Sequence, residues 1–195
     1  MSVIRVGDAR LPTAHGVFRI VSYRADDGHE HVAMVEGDPS GSGVLTRLHS
    51  ECLTGDVLGS RKCDCGDQLA HALRSISDND GGVVVYLRGH EGRGIGIANK
   101  IKAYELQDAG LDTVDANTAQ GLPVDARQYD VAAAILVDLG VESVRLMSNN
   151  PAKVAGLTEH GVRVDELVPV VVPVHPETEQ YLRTKVDRLG HVDVL

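Results

Sequence analysis

The 195-residue sequence has no tryptophan, a single phenylalanine and only 3% aromatic residues in all. Any core it builds must therefore be aliphatic, drawn from Val, Leu, Ile and Ala within an apolar fraction of 43% that is ordinary for a globular protein. Basic charge is scarce as well. The 19 Lys and Arg against 28 Asp and Glu leave a net charge of −9, which argues against nucleic acid or a membrane surface as partner, since either needs a basic face. A phosphorylated small molecule stays open, because a pocket can gather cations locally. Long apolar runs are missing: the longest, near residues 83–86 and 167–172, fall far short of the roughly 20 residues of a membrane-spanning helix. The first ten residues are too polar for a secretory h-region, so a cytoplasmic location is expected. Cysteine is limited to three residues, all between positions 52 and 65. An odd, clustered set with no secretory signal points to metal ligation more than to disulfides.

What is present reads as an α/β chain. Residues 16–23, 31–36 and 44–49 are short, β-branched or alternating, and polar turns separate them, so the first fifty residues are predicted to be strand-rich. From Asp67 the period changes: Leu69, Ala72, Leu73 and Ile76 form a helical stripe that stops in the turn at 78–82. The run 83–87 has the length and continuity of a buried strand. A glycine-rich turn follows, then a helix with Ile97, Ile101 and Tyr104 on one face, ending near Gly110. Asp125 is read as opening a further helix with Val131, Ile135 and Leu139 in register. Residues 144–147 read as a strand, 151–159 as a helix with proline at its start, 162–172 as extended, and 177–189 as a last helix. With no linker, repeat or low-complexity tract, residues 1–195 are expected to form one domain: a mixed β-sheet flanked by helices, with a strand-rich N-terminal portion.

Cys52, Cys63 and Cys65 carry the most specific chemistry. Zn²⁺ favours thiolate and imidazole ligands, and catalytic sites commonly supply three protein ligands and leave one position open. Three thiols with no fourth cysteine fit that count, and an open position lets the metal lower a water's pKa from about 15.7 towards roughly 7. The bland alternative is three small buried hydrophobes; the intermediate one is a structural zinc completed by His49 or His71. After the strand at 83–87 comes RGHEGRGIG, from Arg88 to Gly96, leading into a helix. Strand, glycine turn and helix N-terminus suit an anion, although neither the G-x-G-x-x-G spacing nor the P-loop lysine is present. Arg93 can serve a phosphate, and Glu91 can accept from the paired N–H groups of a guanine edge. Asp125, with Gln128 three places on, has the form of a capping box. Tyr104 alone is an ordinary core tyrosine, and SNNPAK, from Ser148 to Lys153, reads equally as a capped turn or an anion site. Taken together, these features point to metal-assisted hydrolysis of a phosphorylated compound.

At this point the sequence resembles a known family. RLHSECLTGD from Arg47 to Asp56, CDCG from Cys63, HEGRGIG from His90, YELQD from Tyr104, DTVDAN from Asp112, DAR from Asp125, SNNPAK from Ser148, YLRTK from Tyr181 and GH at 190–191 are similar, in order, to the blocks of GTP cyclohydrolase II. The resemblance implies one zinc per subunit on Cys52, Cys63 and Cys65, with attack at C8 of guanine and loss of C8 as formate. It implies that Tyr104 assists ring opening, and that Arg127, with Asp125 as its proposed activating base, acts at the α-phosphate where pyrophosphate leaves. A guanidinium is essentially always protonated, so stabilising the transition state is the chemically natural role for Arg127. Arg47, Leu48, His49, Ser50, Glu51, Gln68, Glu91, Gly92, Arg93, Thr113, Ser148 and Lys153 are implied to contact GTP. Mg²⁺ is implied to accompany the phosphates, and a homodimer is the implied assembly.

Three positions depart from the family pattern: Ser148 stands where threonine is usual, Lys62 where arginine is usual, and Gln120 where an aliphatic residue is usual. The fused dihydroxybutanone-phosphate synthase portion of some relatives has no counterpart here, so that second activity is not expected. Three rival readings remain. A paralogue would stop at the formylamino-pyrimidine, which loss of Tyr104 would favour. A zinc deaminase would need P-C-x-x-C beside the H-x-E of His49 and Glu51. A non-catalytic GTP-binding zinc module would bind without releasing formate.

Overall fold

The computed structural model describes residues 1–79 and 81–189. The strands are β1 (Val3–Thr13), β2 (Gly16–Ala25), β3 (Glu30–Glu36), β4 (Val44–Ser50), β5 (Gly82–Leu87), β6 (Ser143–Met147) and β7 (Arg163–Val168). The helices are α1 (Cys65–Asp78), α2 (Ile97–Asp108), α3 (Thr113–Thr118), α4 (Asp130–Asp138), α5 (Pro151–Glu159) and α6 (Glu179–Leu189). All seven strands join one sheet in the order β1-β2-β3-β5-β4-β6-β7. β1, β2, β3 and β5 pair antiparallel, whereas β5, β4, β6 and β7 pair parallel. The sheet is mixed, as expected, and its two halves differ in kind.

Strand alternation sends side chains to two cores. Val83, Val85 and Leu87 join Leu48, Leu146, Ile135 and Leu136 on the face covered by α4 and α5. Val84 turns the other way, to Phe18, Leu45, Ala72, Leu73 and Ile76 under α1. The core is aliphatic apart from Phe18, Tyr23 and Tyr129. Each fully buried Leu or Ile contributes roughly 1.5–3 kcal/mol.

Four sequence expectations need correction. β1 was not foreseen: it is mostly exposed, so no apolar alternation announces it, and as an edge strand it tolerates Pro12. On α2 the buried residues are Lys100 and Ala103, while Ile97 and Ile101 are 39% and 50% exposed. The stripe there is polar because it faces a site and not a core. Asp125 does not open α4, which begins at Asp130 with Tyr129 as its N-cap; Arg127 captures the Asp125 carboxylate instead. The extended reading of 162–172 shortens to β7. Gly190 and His191 lie outside the described residues.

Candidate metal centre and substrate cleft

The parallel strands β4, β5 and β6 end on the same edge of the sheet, and β4 lies between the other two. The chain leaves β4 towards β5 on one side and returns to β6 on the other. In open α/β sheets a ligand crevice forms beyond the C-terminal strand ends at such a switch point. Here the segments after those strands are residues 51–64, 88–96 and 148–150, and between them opens a cleft.

The thiol cluster begins just after β4. Cys52 caps a single π-turn (Leu53–Val57), and its Sγ accepts from Gly55 N at 3.3 Å. Cys63 and Cys65 follow at the start of α1. The three sulfurs lie within 4.8 Å of one another, with Cys52 and Cys63 at 3.6 Å. Zn–S bonds of about 2.3 Å in a tetrahedron require sulfurs roughly 3.8 Å apart, so the donor set fits zinc. Neither His49 nor His71 joins the cluster among the described residues. Gly55 permits this closeness: a Cβ there would stand 2.9 Å from Cys63 Sγ and 3.2 Å from Cys52 Sγ.

A buried frame holds this loop. The Asp56 carboxylate accepts from Cys52 N at 3.0 Å, Tyr86 Oη at 2.8 Å and His49 Nε2 at 3.0 Å. Burial holds His49 below the usual histidine range despite the Asp56 charge, so it is a neutral donor. Asp64, between two of the cysteines, is bonded by Lys185 of α6 and by Gln68, each at 2.7 Å. Gln68 in turn accepts from Arg47 at 2.6 Å.

The rest of the cleft is cationic. Arg47, Lys62, Arg93, Lys100, Arg127, Lys153 and Lys185 line it, against a whole-chain charge of −9. Arg47 Nε and Arg93 NH1 are buried without a hydrogen-bond partner, which suits arginines that meet an anion. Arg93 also has φ of 66°, a strained conformation for a residue with a Cβ and one that clusters at functional sites. Its carbonyl accepts from Ala126 N at 3.0 Å, which ties the glycine turn to Arg127. Asp125 grips Arg127 through two contacts, 2.9 and 2.5 Å. Burial opposes the Arg127 charge, but Asp125 outweighs it and the guanidinium stays protonated. Lys153 Nζ donates to Leu48 O at 2.7 Å. Burial and the neighbouring charges of Arg47, Arg127 and Lys185 hold Lys153 well below its ordinary range, a cost that a bound anion would relieve.

Of the residues singled out in the sequence, Arg47, His49, Ser50, Glu51, Gln68, Gly92, Arg93, Tyr104, Thr113, Arg127, Ser148, Lys153 and the three cysteines line the cleft. Leu48, Glu91 and Asp125 do not. The Leu48 side chain is fully buried in the core and offers only its carbonyl. Glu91 turns both oxygens inward, to Lys100 at 2.6 Å and Leu53 N at 2.7 Å. Sequence reasoning gave no role to Lys100 or Asp64. Lys100 was visible only as a residue four before Tyr104, one helical turn away, and Asp64 only as the residue between two cysteines. Of the three departures, Lys62 pairs with Asp108 and lies 5.2 Å over the Tyr104 ring. Ser148 Oγ accepts from Asn150 N at 3.0 Å, and Gln120 donates to Ala116 O at 3.0 Å.

His90 gives a test of the electrostatics. Its Nδ1 lies 3.1 Å from Ser50 Oγ, and burial, with help from the Arg127 charge, lowers its pKa to about 4. The unfolded chain binds this proton first as pH falls, near 6.5. The stability held by neutral His90 is thus whole above pH 6.5 and is lost on descent towards pH 4, by on the order of 2–3 kcal/mol. Urea midpoints at pH 7 and 5 should diverge more for the wild type than for His90→Asn; equal divergence would refute the assignment.

The chain is 59% identical over 189 residues to "Riboflavin biosynthesis protein RibBA" of Salinispora tropica, covering 96% of this chain and 47% of that one. It is 56% identical over 191 residues to the protein of the same name in Nocardia farcinica, covering 97% and 46%. The chain thus spans about half the length of these curated relatives. A solved two-domain 3,4-dihydroxy-2-butanone 4-phosphate synthase from A. baumannii aligns with a TM-score of 0.46 at 22% identity, over 86% of this chain and 40% of that one. Residues 4–169 match the model of GTP cyclohydrolase II, and with most of its length matched in this way the chain belongs to the GTP cyclohydrolase II family.

Proposed function

We propose that this chain hydrolyses GTP to 2,5-diamino-6-ribosylamino-4(3H)-pyrimidinone 5′-phosphate, formate and pyrophosphate, the first step of riboflavin biosynthesis. The observation that carries the reading is the three-thiol cluster within 4.8 Å in a cleft walled by cations. One end of the site suits a metal and the rest suits a triphosphate. The reaction consumes three waters: one opens the imidazole ring at C8–N9, a second cleaves C8–N7 to free formate, and a third replaces pyrophosphate at the α-phosphorus. Cys52, Cys63 and Cys65 would hold a zinc ion, which would supply Lewis acidity and an acidified water.

The chain's own residues do the rest. Tyr104 Oη lies 3.2 Å from Thr54 Oγ1, beside the cysteines, and burial raises its pKa. It therefore holds its proton at neutral pH and can deliver it to a ring nitrogen. Arg127, fixed by Asp125, meets the charge that grows on the phosphate oxygens. Arg47, Arg93 and Lys153 hold the triphosphate, with Mg²⁺ as its companion. The pair Arg127–Asp125 supports stabilisation of the transition state by Arg127 more than nucleophilic attack, because a guanidinium in a two-point carboxylate grip keeps its proton. One domain, assembled as a cytoplasmic homodimer, completes the reading. The exposed Ile97 and Ile101 of α2 support the assembly.

The test is to incubate zinc-loaded protein with GTP and Mg²⁺ and follow formate, pyrophosphate and the pyrimidine by mass. Equal amounts of formate and pyrophosphate are expected; a formyl-retaining product would identify the truncated reaction, and no turnover a binding module. In the same assay Tyr104→Phe should slow formate release by about a hundredfold or more, the range for a lost general acid. Its pyrophosphate release should stay within about threefold of wild type. Equal damage to both would make Tyr104 a structural residue.

A further inference from the structure

Lys100 is the one buried residue of α2 whose side chain ends in a charge. It is 8% exposed, and its ammonium is turned towards protein groups on both sides. Nζ donates to Cys52 Sγ at 3.0 Å and to Glu91 Oε1 at 2.6 Å. The other Glu91 oxygen accepts from Leu53 N at 2.7 Å, the residue next to Cys52. Four groups therefore close a ring: the cysteine thiol, its neighbour's backbone N–H, a buried carboxylate and a buried ammonium. Lys100 borders the cleft, but its ammonium is not a mobile point charge: Glu91, whose other oxygen is held by Leu53 N, locks it beside Cys52.

Three thiolates around a divalent cation carry a net negative charge, and Glu91 adds another in the same poorly solvated region. Such a centre needs a positive charge at close range, since outer partners of metal ligands orient them and commonly change affinity by about 10–100-fold when removed. We propose that Lys100, held in place by Glu91, is a positioning residue of the metal centre that orients the Cys52 thiolate and offsets its charge. The inference rests on the zinc reading given above and assigns no contact with substrate.

The test uses the full-length, zinc-loaded protein, with transfer of zinc to a chromophoric chelator as the readout and no substrate present. Lys100→Met should release zinc at least about tenfold faster than wild type. Its cobalt-loaded form should show a shifted thiolate-to-cobalt absorption band. Because Lys100→Met also leaves Glu91 as an unpaired buried carboxylate, it will lower the thermal midpoint of the metal-free protein. The double variant Glu91→Gln with Lys100→Met removes that stranded charge. It should regain much of the midpoint and still lose zinc quickly. If the double variant holds zinc as the wild type does, the defect came from Glu91 alone and the inference fails. If Lys100→Met releases zinc at the wild-type rate, the inference fails while the zinc reading stands. A wild-type protein that takes up no zinc overturns both.

Discussion

Cys63→Ser is expected to lose zinc and formate release together, with formate falling at least about a thousandfold, equivalent to roughly 4 kcal/mol of barrier. A serine hydroxyl does not ionise at neutral pH, so two thiolates would be left where three are needed, and zinc sites with fewer than three protein ligands are not the rule. The fold should survive. Cys63 is buried but belongs to neither aliphatic core, so the far-ultraviolet circular dichroism should be unchanged. Metal analysis of the purified variant, with a formate assay on the same sample, checks both halves. Full formate release by a zinc-free variant would remove the metal from the proposed chemistry.

Arg127→Gln is expected to produce the second-largest effect, a loss of about 10²–10³ in pyrophosphate release, as when one preorganised electrostatic donor is removed. Zinc content should be untouched, since Arg127 contacts Asp125 and not the cysteines. Arg127→Lys separates charge from shape. Lysine keeps the positive charge but cannot make the planar two-point contact with Asp125, so it should recover only part of the rate. Product analysis by mass, under saturating GTP, reads both variants. If Arg127→Gln releases pyrophosphate at the wild-type rate, the phosphate step belongs to another cation, and Lys153, buried in the same cleft, becomes the first to examine.

Much of the site was legible because its chemistry is compact in sequence. Three cysteines within fourteen positions suit a metal whatever the fold, and ordered blocks such as SNNPAK announce a family. What escaped the sequence did so for several reasons. Periodicity reports which side of an element is apolar, and it takes for granted that the apolar side is the buried one. On α2 that premise fails: Ile97 and Ile101 face outward and Lys100 faces inward, since the partner surface is a set of thiols and carboxylates. β1 escaped because an exposed edge strand has no buried side to report. Asp125 was misread as a helix cap because capping and ion pairing use the same short carboxylate, and only the proximity of Arg127 decides between them. The contacts of Glu91 with Lys100 and Leu53 N were not legible, because a carboxylate in a glycine turn gives no sign of which way it points.

The bond from Lys185 to Asp64 joins residues 121 positions apart, and with Tyr181 it makes α6 a wall of the cleft. On the ribosome every strand of the sheet is complete before α6 appears. A nascent chain can therefore bury both aliphatic cores and bring its cysteines together while the cationic cleft is still open on one side. Competence to act on a triphosphate would then arrive as a late, discrete event in synthesis, after the sheet that supports it has already formed.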